Sequence, residues 1–258
     1  MIRVRSVVLH TAVAAAVTWG LYLLIGRTHR GEITGFASAL VSATGAAALI
    51  WSYAGLLLGL VIGTKVPRTV VRQRHRLLTW HRQLNLTVIG LMIAHIMAFT
   101  LGAPGGSWLV ALVPQTSQVA KLGYTLGVLS LYGAVLLGPS YYLRRRLGAR
   151  AWLVAHQFAV LVYALAVWHA LALGPHVKVA GPWRVAVWVA QIPLLALLAL
   201  RLWQPRRPAD RMDARLRNPR YGQPRYAVLR VAATTGIVTA AVVVLFVALS
   251  AASPGLRS

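Results

Sequence analysis

Long apolar runs recur along almost the whole chain. We read seven, at roughly 7–26, 36–63, 80–101, 121–142, 151–173, 181–203 and 226–250. A helix rises about 1.5 Å per residue, so each run is long enough to cross the ~30 Å hydrocarbon layer of a bilayer. Hydrocarbon offers no water to backbone N–H and C=O groups, so a run of this kind has to close its hydrogen bonds within itself. The expected fold is therefore an all-α integral membrane protein with about seven transmembrane helices. Composition agrees: 58% of the 258 residues are hydrophobic, against about 45–50% in soluble domains, and mean hydropathy is +0.67. The first run is too long for a signal peptide, ends in no small-residue cleavage site and enters Gly26-Arg27 directly, so it reads as a helix.

A formal charge of +24, with only Glu32, Asp210 and Asp213 acidic, would suggest nucleic acid in a soluble protein. Here the cations alternate between loops. One set of segments holds Arg3 and Arg5, then Lys65, Arg68, Arg72, Arg74, Arg76 and Arg82, then Arg144, Arg145, Arg146 and Arg150, then nine arginines from Arg201 to Arg230. The other set holds Arg27, Arg30, Lys121, Lys178, Arg184 and Arg257. The positive-inside rule makes the richer set cytoplasmic, giving an N-in, C-out topology. No soluble segment exists to carry a nucleic-acid site, so no nucleic-acid partner is expected. The basic inner loops suit anionic membrane lipid or an acidic soluble protein.

The chain divides into a first helix and outer loop (1–35), a core (36–203), a basic inner loop (204–225), and an additional C-terminal helix with a short outer tail (226–258). The inner loop, QPRRPADRMDARLRNPRYGQPR, is rich in Pro and Arg and reads as irregular. The outer loop GAPGGSWLVALVPQTSQVAK (102–121) is nearly uncharged and is expected to lie at the interface or fold back over the bundle. No glycine-rich nucleotide motif or βαβ pattern occurs, so no flavin- or nucleotide-binding domain is expected in this chain. Cysteine is absent, which excludes disulfides, iron–sulfur clusters and thiolate ligands, and leaves histidine to do any metal chemistry.

Of eight histidines, His10, His29, His75 and His176 lie near span ends or in loops and read as ordinary. The other four fall on two spans only: His81 and His95 on the third, His156 and His169 on the fifth. An ionisable residue inside a membrane is costly and points to function, although a lone histidine also serves as hydrogen-bonding glue between helices. Both spans run in the same direction, and fourteen and thirteen residues cover about 21 and 20 Å. His81 is thus level with His156, and His95 with His169. Two facing neutral imidazoles can ligate a haem iron from both sides. The angular test is less tidy. At about 100° per residue, fourteen residues return to within about 40° of the starting face, whereas thirteen end about 140° away. A tilt, a π-bulge or a different approach to each porphyrin has to absorb that difference.

The segments HRQLNLTVIGLMIAH and HQFAVLVYALAVWH, with Arg82 after the first histidine, resemble the ferric reductase-like transmembrane domain over about residues 36–203. That superfamily takes in ferric-chelate reductases, NADPH oxidases and the haem-binding subunit of a bacterial sulfoxide reductase system. The resemblance implies a six-helix haem-binding core, here extended by one C-terminal helix. It also implies two b-type haems, the inner held by His81 and His156 and the outer by His95 and His169. Two departures stand out: Asn85 occupies a position where many members have Gly, and the flavin and nicotinamide domains of the reductases and oxidases have no counterpart in this sequence. Any flavin would sit on a separate partner.

Arg82, with Arg74 and Arg76, lies near the expected inner haem and is a candidate for its propionates; simple positive-inside charge is the plainer reading. Trp80, Trp152, Trp183 and Trp188 read as interface anchors, and Tyr141, Tyr142 and Tyr163 as belt or packing residues. Gln191 and Pro193 are expected to interrupt and bend the sixth span.

The expected function is electron transfer across a bacterial cytoplasmic membrane, by an oxidoreductase haem-binding subunit that needs a separate donor. The donor is an inner-side flavoprotein or quinol; the acceptor is a ferric chelate, dioxygen or an extracytoplasmic redox partner. A histidine-based transporter or proton relay is the alternative, but it would want acidic partners in the spans, and none of the three acidic residues lies there. A cofactor-free membrane scaffold is the other.

Overall fold

A computed structural model describes residues 4–28, 36–64, 68–102, 106–117, 120–142 and 149–203. The expected seventh span, the basic loop 204–225, His29 and Arg144 to Arg146 lie outside the described residues. Every regular element among the described residues is helical: α1 (Val4–Thr28), α2 (Phe36–Thr64), α3 (Arg68–Gly102), α4 (Trp108–Leu112), α5 (Lys121–Leu137), α6 (Ala149–Gln157), α7 (Ala159–Leu173), α8 (Pro175–Lys178) and α9 (Pro182–Trp203). Six stretches are long and apolar enough to cross a membrane: Val8–Ile25, Ser38–Thr64, Arg72–Leu101, Lys121–Tyr142, Trp152–Leu173 and Pro182–Arg201. The chain is a multi-pass membrane protein.

Helix α2 is the hub, packing against α1, α3, α7 and α9. Its sequence explains why. Ala39, Ala43 and Ala47 repeat every four residues and are buried, the last two completely. Small side chains let helix backbones approach closely, which matters in lipid because hydrocarbon gives apolar helices no hydrophobic reason to associate. Trp51 fills a cluster with Ala14 and Val88 between α1, α2 and α3. On the opposite side Leu60 packs with Tyr163, Val167, Leu194 and Leu198 between α2, α7 and α9. Several hydroxyls within the spans are satisfied locally: Thr18 donates to the Ala14 carbonyl, Ser52 to Ala48 and Thr87 to Gln83, all one turn back.

Two expectations change. The fifth span is not one helix: α6 ends at Gln157 and α7 starts at Ala159. Between them the Phe158 N–H donates to the Ala155 carbonyl, a tightened three-residue turn rather than a π-bulge. Such a turn advances about 120° per residue instead of about 100°, so each overwound residue brings His169 about 20° nearer the His156 face. The sixth span, conversely, is not interrupted: α9 runs through Pro193 as one element, and the Gln191 amide donates to Val187 within the helix.

The segment after α3 folds back against α3 and α5. Ser107 caps α4, the Gln115 N–H donates to the Thr125 hydroxyl at 3.0 Å, and the Tyr132 hydroxyl donates to the Leu112 carbonyl. Trp108 and Leu109 remain exposed on it.

Candidate functional site

The bundle brings the four span histidines into two pairs. The rings of His81 on α3 and His156 on α6 have centroids 5.9 Å apart and planes at 89°. Those of His95 on α3 and His169 on α7 are 6.1 Å apart at 86°. Spacings of this size also occur in ordinary edge-to-face aromatic packing, so what surrounds each ring decides its meaning.

Three of the rings are held by one repeated device. Nδ1 of His81 lies 3.0 Å from the Gly55 carbonyl, Nδ1 of His95 2.9 Å from that of Val41, and Nδ1 of His169 2.9 Å from that of Gly123. Each ring also packs on a glycine four residues beyond the carbonyl it uses. A Cβ at Gly59 would come within 3.0 Å of His81, at Gly45 within 3.0 Å of His95, and at Gly127 within 2.5 Å of His169. Helical side chains tilt toward the N-terminus and lie over the preceding turn. A side chain at the fourth position therefore shields the carbonyl below it, and glycine leaves that carbonyl's second lone pair open. A carbonyl only accepts, so Nδ1 carries the proton in all three histidines and Nε2 keeps the lone pair. At His81 this is corroborated: the Asn85 amide nitrogen lies 3.2 Å from Nε2, a donor meeting an acceptor.

His156 is built differently. Its Nδ1 is buried and, among the described residues, has no hydrogen-bond partner. Its ring stacks instead on Trp152, centroids 5.1 Å apart and planes at 18°. Trp152 donates Nε1–H to the Ser140 hydroxyl at 3.0 Å and meets the Tyr141 ring edge-on at 6.0 Å. Trp152, at the start of its span, thus also points its polar end at Ser140 and its face at a histidine. Arg82 is half-buried; its Nε donates to the Leu78 carbonyl at 3.1 Å and its guanidinium sits 4.6 Å over the Tyr141 ring. Arg72, Arg74, His75 and Arg76 are exposed along the first turns of α3.

The glycines and Ser140 were not singled out by the sequence reading. A signal was present: Gly45 and Gly59 stand fourteen residues apart, as do His81 and His95 on the adjacent helix.

Residues 44–167 match the family model described as ferric reductase like transmembrane component. The chain contains a ferric reductase-like transmembrane domain. The matched span takes in His81, His95 and His156 and stops two residues before His169. No curated protein and no solved structure matches the chain. Within the ferric reductase-like match, α2 and α3 supply His81, His95 and both of their glycine supports, and α5 and α6 supply Gly127 and His156; His169, on α7, lies just past it.

Proposed function

We propose that this ferric reductase-like protein carries electrons across a membrane through two b-type haems, one between His81 and His156 and one between His95 and His169. The carrying observation is the set of three Nδ1–H···O=C bonds, which fixes the tautomer a metal-ligating imidazole needs and orients the ring.

The donor set supports a haem over a bare ion. Among the described residues no three His, Cys, Asp or Glu side chains converge. Two imidazoles are too few for a protein-held zinc, which takes at least three protein ligands, but they suffice for a metal that brings its own equatorial ring. The ring centroids of the two pairs lie 5.9 and 6.1 Å apart, which would leave room for a metal centre held by the two imidazoles of each pair, one from either side. An iron at Nε2 of His81 would displace the Asn85 contact, a neutral hydrogen bond worth about 1 kcal/mol, which is small beside a ligand bond.

Haem supplies a one-electron iron couple; the protein supplies orientation, exclusion of water and a low dielectric. With the charge-derived N-in topology, His81 and His156 lie toward the cytoplasm and His95 and His169 toward the outside of a bacterial cytoplasmic membrane. Electrons come from a separate flavoprotein, drawn by the exposed arginines of α3, or from quinol. They leave to a ferric chelate, dioxygen or a redox partner resting near Trp108. A proton relay is disfavoured, because three of the four Nδ1 protons are tied to carbonyls and the two pairs stand about 20 Å apart.

The test is a dithionite-reduced minus oxidised spectrum of the purified full chain in detergent, with haem quantified per chain. Two low-spin haems b are expected. A haem-free protein prepared under haem-replete conditions would falsify the reading.

A further inference from the structure

Three of the four histidines share the carbonyl-and-glycine device, and the register of the bundle shows why the fourth does not. His156 lies thirteen residues before His169, and Ser140 lies thirteen residues after Gly127, so Ser140 stands where a supporting glycine would. α5 has already ended at Leu137, and Pro139 follows Gly138. Ser140 spends its hydroxyl proton on the Leu137 carbonyl at 2.6 Å and accepts from Trp152. Among the described residues no carbonyl accepts from His156, and its buried Nδ1 has no hydrogen-bond partner there.

From this arrangement we infer that Trp152 is the positioning residue for His156: its indole face, anchored through Nε1 to Ser140, orients the imidazole that a backbone carbonyl orients in the other three. Two further contacts brace the indole. Tyr141 abuts its edge, and the Arg82 guanidinium covers Tyr141. A chain of four side chains thus runs from the neighbour of His81 round to His156, linking the two halves of one pair. Stacking fixes the plane of a ring but leaves it free to slide, whereas a hydrogen bond fixes a direction. The His81–His156 site is accordingly the more weakly held of the two, and its grip depends on an aromatic surface.

The inference rests on the haem reading, and the experiment separates the two. Full-length wild type, Trp152→Leu, Trp152→Phe and Ser140→Ala are purified in detergent. Haem per chain, the low-spin EPR signals of the two sites, and the rate of haem transfer to apomyoglobin are recorded. Loss of an orienting group beside a metal ligand typically weakens metal binding ~10–100-fold. Trp152→Leu is expected to speed haem loss from one site by about tenfold or more, with a high-spin fraction appearing there while the other site keeps its signal. Trp152→Phe retains an aromatic face but loses the Nε1 anchor, so it is expected to loosen the site as Ser140→Ala does and less than Trp152→Leu does. Ser140→Ala frees the indole without emptying its volume and is expected to loosen the same site. Two haems in the wild type with Trp152→Leu unchanged overturn the inference alone. A wild type without haem overturns the haem reading and the inference together. If Trp152→Leu loses both haems, Ser140→Ala decides: selective loosening of one site supports the inference, and no change overturns it.

Discussion

A Cβ on Gly127 would lie 2.5 Å from Nδ1 of His169. Real side chains do not pack that closely, so Gly127→Ala must push the imidazole off the Gly123 carbonyl. Overpacking of this kind costs about 1–3 kcal/mol. The expected result is loss or high-spin conversion of the haem at His95 and His169, read by pyridine haemochrome content and EPR. Gly45→Ala, at 3.0 Å from His95, should do the same more weakly. Gly90→Ala meets open space and should leave both haems in place. An effect of Gly90→Ala as large as that of Gly127→Ala would mean the glycines matter for some reason other than the cradle.

His95→Ala and His169→Ala each remove one ligand of the same pair. Each should halve the haem content and leave the His81–His156 spectrum intact. The double variant should look like either single one, because the two ligands act as a unit. Retention of two haems per chain in His95→Ala would sink the assignment of that pair.

Ser130 tests the cost of a polar contact that serves packing alone. It is buried and donates to the Val162 carbonyl at 3.1 Å, joining α5 to α7. Interhelical hydrogen bonds in membranes average about 0.6 kcal/mol, with a maximum of about 1.7. Ser130→Ala should lower the thermal midpoint slightly in detergent and leave haem content unchanged. Loss of haem in this variant would show that the α5–α7 contact itself, beyond the glycine cradle, sets the His169 position.

The exposed arginines of α3 distinguish the two donor classes. A triple Arg72, Arg74 and Arg76 to Gln variant removes a cluster that would steer an acidic soluble protein. Steering of this sort raises association rates by 10–10³-fold, and salt screens it over ~10 Å at 0.1 M. Stopped-flow reduction by an acidic flavoprotein should slow by about tenfold at low salt and lose most of its salt dependence. Reduction by a quinol should not change. If both donors behave alike, the cluster serves topology only.

The spans were legible because hydrocarbon imposes one solution on the backbone, and the four histidines because ionisable groups are rare there. The supports were not. Gly45, Gly59 and Gly127 are three of 22 glycines, and nothing marks them until α2 is set antiparallel to α3 and α5 is set against α7. The contacts of Trp152 were hidden for a related reason: a tryptophan near a span end reads as an anchor, and its bond to Ser140 appears only once the residue after α5 is set beside it. The thirteen-residue spacing on the fifth span posed an angular conflict that periodicity could not resolve. The tightened turn at Phe158 resolves part of it, and no residue type there announces such a turn.

The fourteen-residue interval of Gly45 and Gly59 copies that of His81 and His95, and α2 holds both histidines of α3 by its own backbone. The separation of the two pairs is therefore a property of two rigid rods locked tooth to tooth, not of any flexible side chain. Tunnelling rates fall exponentially with distance, so a gap ruled off by helical rise is insensitive to substitutions on the lipid-facing surface. If the two pairs hold haems as proposed, substitutions on that surface are expected to leave the distance between them unchanged.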